Sequence, residues 1–256
     1  MTVKERPILF KPAMIHAIQA RRKFQTRRLL DPQPQRRDDG RWVKIRGTGE
    51  SSLELEIVNK REGTREVRFG TLEESIQSLW KCPYGKPGDR LWVRETWGIF
   101  DTLNVTTRQK LPLFEYVKYD ESHSEYIDPR YDVMYAADCP ENSIHWRPSI
   151  HMPRWVSRFL LDVTAVRAER LQDITAEDAI AEGLHKVTKD GKLFKYGIPD
   201  RDGLPGNYDV GWPWTKWEVD PRAAYRTLWE DINGKGSWER NPMVWVVGFN
   251  QNEGGI

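Results

Sequence analysis

The sequence predicts an α+β protein whose core is a small mixed β-barrel with flanking helices. Residues 242–249 are apolar on both faces, as expected of a central strand. Helical patterns open at Pro12 and Pro221, yet strands and helices do not alternate with the regular spacing of a doubly wound sheet. We therefore expect one domain over residues 1–256, with peripheral insertions at about 31–85 and 185–216.

Composition excludes several classes of protein. The net charge of +2 argues against strong non-specific binding to long duplexes, which requires many phosphate contacts. Cys82 and Cys139 are too few for a disulfide framework and lack zinc-site spacing. No long apolar run or signal-peptide pattern is present in the sequence. We expect a cytoplasmic protein that uses no cofactor or metal.

The N-terminal stretch, residues 7–30, contains the first group of candidate functional residues. Residues 7–10 favour a short strand, and Pro12 opens a helix whose buried stripe begins at Met14. A Lys-x-x-Thr pair, Lys23 and Thr26, follows within a group of arginines. The two side chains share one face only if the helix or a helical turn persists to Thr26, so a helical turn is expected there.

This pair has the elements of an activated nucleophile. A threonine hydroxyl needs a base, and Lys23 can act as one only when it is neutral. Neighbouring arginines lower the pKa of a lysine, since like charges disfavour the ammonium form. The competing interpretation is a basic helix end that binds phosphate or is simply solvated.

A second candidate group lies in the strand predicted after the turn at residues 86–89. Glu95 falls on its apolar face unless the strand ends before it. A buried carboxylate must be paired, so Glu95 either lines a pocket or is the structural partner of an arginine. Trp92, Arg94 and Trp97 add aromatic and cationic groups that could bind a base.

The C-terminal half supplies a third group. A strand over residues 159–170 precedes a short helix that Thr175 caps and Gly183 ends. Glu182 closes this helix, either as a functional carboxylate or as a solvated one. The last helix opens at Pro221, and Gly234 ends it. His151 is either a structural hydrogen-bonding residue or a group with a direct role.

Four segments together resemble the ASCH family of the PUA-like superfamily, especially its larger members in phages and prophages. They are the helix leading into ARRKFQTRR, KPGDRLWVRETW, LQDITAEDAIAEGL and the terminal LWEDINGKGSWERNPMVWVVGF. ASCH amidohydrolases of N4-acetylcytidine carry Lys-x-x-Thr-x-Arg after the first helix, which Lys23, Thr26 and Arg28 match. The resemblance also implies a catalytic glutamate at Glu182, with Glu177 as the alternative.

The function that the resemblance implies is hydrolysis of an acylated nucleobase or nucleoside such as N4-acetylcytidine. Lys23, Thr26 and Glu182 would be catalytic, while Arg28, Trp92, Arg94, Glu95 and Trp97 would bind the substrate, a nucleoside or an RNA with a modified cytidine. Two alternatives remain, a non-catalytic module that binds RNA or a modified base, and a ribonuclease. We expect the base to bind between residues 23–28 and 90–97.

Overall fold

The computed structural model describes residues 2–36, 42–46, 53–55, 80–101, 117–119, 125–127, 131–139, 145–206 and 211–252. Within these residues the protein is a mixed α+β structure, as predicted. Its strands are β1 (Glu5–Leu9), β2 (Gln25–Leu29), β3 (Gln35–Arg36), β4 (Trp42–Arg46), β5 (Leu53–Leu55), β6 (Arg90–Arg94), β7 (Trp97–Asp101), β8 (Val117–Tyr119), β9 (Glu125–Ile127), β10 (Tyr131–Tyr135), β11 (Leu160–Arg170), β12 (His185–Thr188), β13 (Phe194–Gly197) and β14 (Met243–Gln251). The helices are α1 (Pro12–Gln19), α2 (Ala176–Ala181) and α3 (Pro221–Asn233).

The main sheet has five strands in the order β1-β6-β11-β14-β2. β1 runs parallel to β6, and the other neighbours are antiparallel. Residues 243–247 of β14 are all buried, which confirms the central strand predicted there. The remaining sheets of the described chain have two or three strands each.

No sheet of the described residues closes into a barrel, so the predicted closure is not observed. β1 and β2 are the two edges of the main sheet and do not pair with each other. The Arg28 guanidinium donates instead to the backbone carbonyl of Leu9, so that a side chain spans the two edges. The space left between them forms part of the cavity described below.

Helix α1 ends earlier than the predicted geometry of the Lys-Thr pair requires. Pro12 stands in its first turn, and Met14, Ile15 and Ile18 are buried as expected. The helix ends at Gln19, however, and Thr26 lies in strand β2, paired with Val247. The expected helical turn through Thr26 is therefore wrong.

Helix α2 confirms the caps that the sequence predicts. The Thr175 hydroxyl accepts a hydrogen bond from the Asp178 N–H at 3.1 Å. Gly183 follows with φ +108°, and a Cβ there would lie 2.8 Å from the Cβ of Ala17. Only glycine suits this backbone and this close packing, which bring the end of α2 against α1.

Helix α3 packs its apolar stripe against the core. The Asp220 carboxylate accepts from the Arg222 N–H at 3.0 Å, and Gly234 follows the last turn. Ala224, Tyr225, Leu228 and Trp229 are buried. Tyr225 faces the cavity from this helix.

The two insertions differ in how they meet the core. Ile198 and Trp212 belong to the main hydrophobic cluster, so the segment 185–216 contributes to the core and is not only peripheral. In the first insertion, β4 and β5 form where the alternation of residues 41–47 and 53–58 predicts strands, and Trp80 is buried in the same cluster. The sequence also predicts a strand over residues 65–70 and a short helix over 71–80, and all of these residues except Trp80 lie outside the described part of the chain.

The described part of the chain shows two further features that bear on the predicted class. Cys82 and Cys139 are both free thiols. None of the described helices combines the length and apolar character needed to cross a membrane.

Candidate functional site

Lys23 and Glu182 meet in a buried contact between the end of α1 and the end of α2. The two residues form an isolated antiparallel bridge. The Lys23 Nζ donates to the Glu182 backbone carbonyl at 2.7 Å and to its Oε2 at 2.9 Å. Lys23 is 4% exposed and Glu182 is 3% exposed, so neither is the solvated side chain of the competing interpretations.

Arg27 holds the other side of the same carboxylate. Its Nη1 donates to the Glu182 Oε1 at 3.1 Å, and its Nη2 donates to Glu169 and Asp178 at 2.6 Å each. Arg167 in turn bonds Glu169 and Asp178. The carboxylate of Glu182 is thus shared between a lysine and an arginine.

Each carboxylate of this network has two cationic partners. Glu169 and Asp178 pair with both Arg27 and Arg167, and Glu182 pairs with both Arg27 and Lys23. The carboxylate that faces Lys23 is therefore shared with an arginine, which stays protonated.

Burial is the main cause of the lowered pKa of Lys23. Glu182 opposes it by charge and by its hydrogen bond, while Arg28 and Arg27 lower the pKa further. The predicted effect of the arginines is thus present, but it is secondary to desolvation. Lys23 is therefore easier to deprotonate than an ordinary lysine.

The cluster opens onto a cavity of about 450 Å³. The cavity collects the candidate catalytic groups and an aromatic surround from both edges of the main sheet and from α3. Its lining includes Lys23, Thr26, Arg27, Arg28, Glu182, Phe10, Tyr84, Tyr225 and Trp229. A volume of this size is typical of small-molecule sites.

Thr26 and Arg28 reach the cavity from alternate positions of β2. Residues two apart on a strand share a face, which is how Lys-x-x-Thr-x-Arg converges without the helical turn. The Arg28 Cζ lies 5.1 Å from the centre of the Phe10 ring. Its Nε is buried and has no hydrogen-bond partner within the described structure, so the guanidinium keeps a donor for a ligand.

The second predicted group does not line this cavity. Its members are Trp92, Arg94, Glu95 and Trp97. Strand β6 is separated from β2 by β11 and β14, so residues 23–28 and 90–97 do not form two walls of one cleft. The expected base-binding site between those segments therefore has no counterpart in this cavity.

The sequence leaves two interpretations of Glu95 open, and the structure shows the second, a carboxylate paired with an arginine. Strand β6 ends at Arg94, and Glu95 is nevertheless 2% exposed. Both of its oxygens accept from Arg158, from Nε and from Nη2, at 2.8 Å each. Trp97 is buried with Met152 and Val156, and the Arg94 Cζ lies 4.6 Å from the Trp92 ring centre.

The weaker candidates are both exposed. Glu177 lies on the solvent side of α2, and His151 is exposed in a short 3-10 turn at Ser149–His151. Of the carboxylates considered as the third catalytic group, only Glu182 both contacts Lys23 and lines the cavity.

Sequence reasoning missed the residues that complete the site. Phe10, Tyr84 and Tyr225 line the cavity, and Glu169 and Asp178 bind Arg27. The one available signal was the alternation of β11, which puts Arg167 and Glu169 on the same face of that strand. That Arg27 pairs with this face could not be read from the chain.

Comparisons of the chain with protein-family models, with curated proteins and with solved structures find no match. The geometry of the cavity therefore has to carry the functional argument.

Proposed function

We propose that this protein is an ASCH-like amidohydrolase that removes the acyl group from the exocyclic amine of an acylated nucleobase, such as N4-acetylcytidine. One observation carries the proposal. A buried lysine with a lowered pKa shares a cavity with a threonine hydroxyl and a carboxylate bonded to that lysine. These are the base, the nucleophilic group and a carboxylate that holds the base in position and stabilises its protonated form.

The first step is attack on the acyl carbon. Neutral Lys23 accepts the proton of the Thr26 hydroxyl, or of a water held by that hydroxyl, as the new C–O bond forms. The resulting ammonium is stabilised at once by Glu182, 2.9 Å away. The negative charge that develops on the acyl oxygen needs a donor, and Arg28 lines the cavity with an unsatisfied Nε–H. Such a donor commonly contributes about 3 to 4 kcal/mol.

The second step releases the base. The C–N bond breaks as the exocyclic nitrogen takes a proton from the Lys23 ammonium, and Glu182 holds that amine in position. When a water attacks, its addition across the amide gives cytidine and acetic acid, which ionises to acetate. When Thr26 itself attacks, water then cleaves the acyl-threonine, and Lys23 takes the proton of that water and returns it to the threonine oxygen. Lys23 returns to its neutral form, so the site is ready for another turnover.

The lining of the cavity suits a nucleobase. Phe10, Tyr84 and Tyr225 offer aromatic surface around the polar groups. Stacking of a base on such a ring is worth about 1 to 3 kcal/mol. Arg28 adds a guanidinium beside this aromatic surface, 5.1 Å from the centre of the Phe10 ring.

The direct test is chromatographic. Wild-type protein is incubated with N4-acetylcytidine, and the release of cytidine is measured beside Thr26→Val, which removes the hydroxyl and keeps the β-branched shape. We expect cytidine from the wild type and a loss of at least about a hundredfold for Thr26→Val. No release by correctly folded wild type would overturn the hydrolase.

A non-catalytic base-binding module is the second candidate. The same aromatic cavity and cations favour it, since they bind a base whether or not chemistry follows. It predicts saturable quenching of tryptophan fluorescence by N4-acetylcytidine without turnover. Measuring both cytidine release and fluorescence quenching with N4-acetylcytidine therefore distinguishes the two candidates.

A further inference from the structure

A second cavity, of about 470 Å³, lies on the far side of the segment that carries Tyr84. Four cationic side chains line it, from Lys4, Arg6, Lys81 and Lys86. The lysine side chains have no ion pair within the described chain. Phosphate groups are the ligands that such a cluster of lysines and an arginine binds best.

The one carboxylate in this cavity is already satisfied. Asp89 is 3% exposed, and its oxygens accept from the backbone N–H groups of Lys4, at 3.2 Å, and Lys86, at 3.1 Å. It therefore fixes the two basic segments beside each other. The excess of positive charge at the cavity wall is left for a ligand.

The arginine retains donors as well. Arg6 Nη1 makes only a long contact of 3.5 Å to the Pro83 carbonyl, and its Nε is buried without a hydrogen-bond partner. A planar guanidinium with free N–H groups can bind a phosphate through two oxygens.

Asp89 holds the loop that bears Lys86 through hydrogen bonds with the Lys86 backbone. Gly85 has φ +95°, and a Cβ there would lie 2.8 Å from the Asp89 Oδ2. Glycine is thus required at this point for the turn and for the Asp89 contact. The loop presents Lys81 and Lys86 on one side and Tyr84 on the other.

Two chain segments connect this cavity to the candidate active site. Lys81, Cys82 and Lys86 face the basic cavity, while Tyr84 faces the site of Lys23. In β1, likewise, Arg6 faces the basic cavity and Leu9 faces the candidate active site. Arg6 and Leu9 are three positions apart on the edge strand β1, so their side chains lie on opposite faces and about 10 Å apart along the strand. A polynucleotide that reaches both cavities has to pass around this edge.

We propose that this basic cavity binds a phosphate of the substrate, so that the acylated base is presented within a single-stranded polynucleotide and not only as a free nucleoside. The inference rests on the proposed function for the identity of the base. The site itself is independent of it, because the cations would hold a phosphate whether or not hydrolysis follows.

The first experiment measures binding alone. A labelled, unmodified oligoribonucleotide about ten nucleotides long is titrated against wild type and the double variant Lys81→Ala/Lys86→Ala over a series of salt concentrations. Each lost phosphate contact lowers the salt slope by about 0.7 for a single strand. We expect a slope lower by about 1.4 and an affinity at least about fivefold weaker at low salt.

The matched control is Lys192→Ala/Lys235→Ala, which removes the same charge from two exposed positions outside both cavities. Equal changes in slope and affinity for the two double variants would overturn the phosphate site. This outcome can be read even if the protein hydrolyses nothing.

The second experiment identifies the source of the phosphate. Turnover is compared for N4-acetylcytidine, its 5′-monophosphate and an oligoribonucleotide containing it. Lys81→Ala/Lys86→Ala should lower kcat/KM on the oligoribonucleotide at least about fivefold more than on the nucleoside. The same extra loss on the monophosphate would show that the nucleotide's own phosphate is bound, and equal losses on all three substrates would contradict the proposal.

Discussion

Two buried carboxylates, Glu182 and Glu95, are the most instructive comparison in this protein. Both are almost fully buried and both are paired with cations. Glu95 gives both oxygens to Arg158, whose guanidinium also bonds Asp138 and lies 4.0 Å from the Tyr135 ring centre. Glu182 divides its oxygens between Lys23 and Arg27 and faces a cavity.

The difference between them is chemical. An arginine stays protonated in proteins, so the Glu95 pair contains no cation that can act as a base. A lysine can lose its proton when buried, and the pKa of Lys23 is lowered by burial. A buried ion pair therefore points to function when its cation can be deprotonated and a cavity reaches it.

The largest expected effect is the loss of turnover in Lys23→Met. Methionine keeps the length and apolar stem of lysine, and Glu182 keeps its bond to Arg27. We expect turnover of N4-acetylcytidine to fall at least about a hundredfold, because the base is gone. Wild-type turnover in Lys23→Met would show that Lys23, like Arg158, is structural.

The opposite outcome is expected for Glu95→Gln. Weakening this buried pair leaves Arg158 without its bidentate partner and should lower the free energy of unfolding by about 2 to 4 kcal/mol. Denaturant melts measure the loss. Turnover at a temperature where the variant is folded should stay within about twofold, since Glu95 does not line the cavity. A hundredfold loss there would restore Glu95 as a substrate-binding residue.

Signals local to the sequence predicted much of the fold. Thr175, Gly183 and the apolar β14 act through their own neighbours, so the short helix, its ends and the central strand follow from propensity and pattern. The pairing of Arg27 with Glu169, 142 positions apart, has no local signature. Barrel closure has no local signature either, because it depends on whether the two edge strands, β1 and β2, pair with each other.

The Lys-Thr pair shows how a correct set of residues can rest on a wrong geometry. The i, i+3 spacing suggested a helical turn, yet β2 begins at Gln25 and pairs with β14. Thr26 and Arg28 share a face of that strand, and the long side chain of Lys23 reaches the same cavity from the turn before it. The residues of the site could be predicted from the sequence. The backbone conformation that brings them together could not, because it depends on the pairing of β2 with β14.

A smaller effect is expected from Glu182→Gln, which tests whether the charge of Glu182 sets the pKa of Lys23. That charge raises the pKa of Lys23 against the lowering by burial. Because Lys23 acts as a base only when it is neutral, kcat should rise with pH as Lys23 loses its proton. Glu182→Gln removes the carboxylate charge, so the pKa of Lys23 should fall further and the rise of kcat should move to lower pH. The pH profile of the residual activity measures this shift.

Glu169→Gln is the matched control for that profile. It removes a carboxylate from the same network, but one that bonds Arg27 and not Lys23. We expect a smaller displacement of the profile than in Glu182→Gln. Equal displacements would mean that the total charge of the network, and not the contact with Lys23, sets the working pH.

The smallest effect is expected at Glu177, the alternative third catalytic group. Its side chain is exposed on α2, and Glu182 occupies the contact with Lys23. Glu177→Ala should change turnover by less than about twofold and the free energy of unfolding by no more than about 0.5 kcal/mol. Turnover and denaturant melts, run beside Glu182→Gln, measure both. If Glu177→Ala lost as much turnover as Glu182→Gln, then α2 would act through its exposed face and the buried cluster would be, like Glu95 and Arg158, a structural pair.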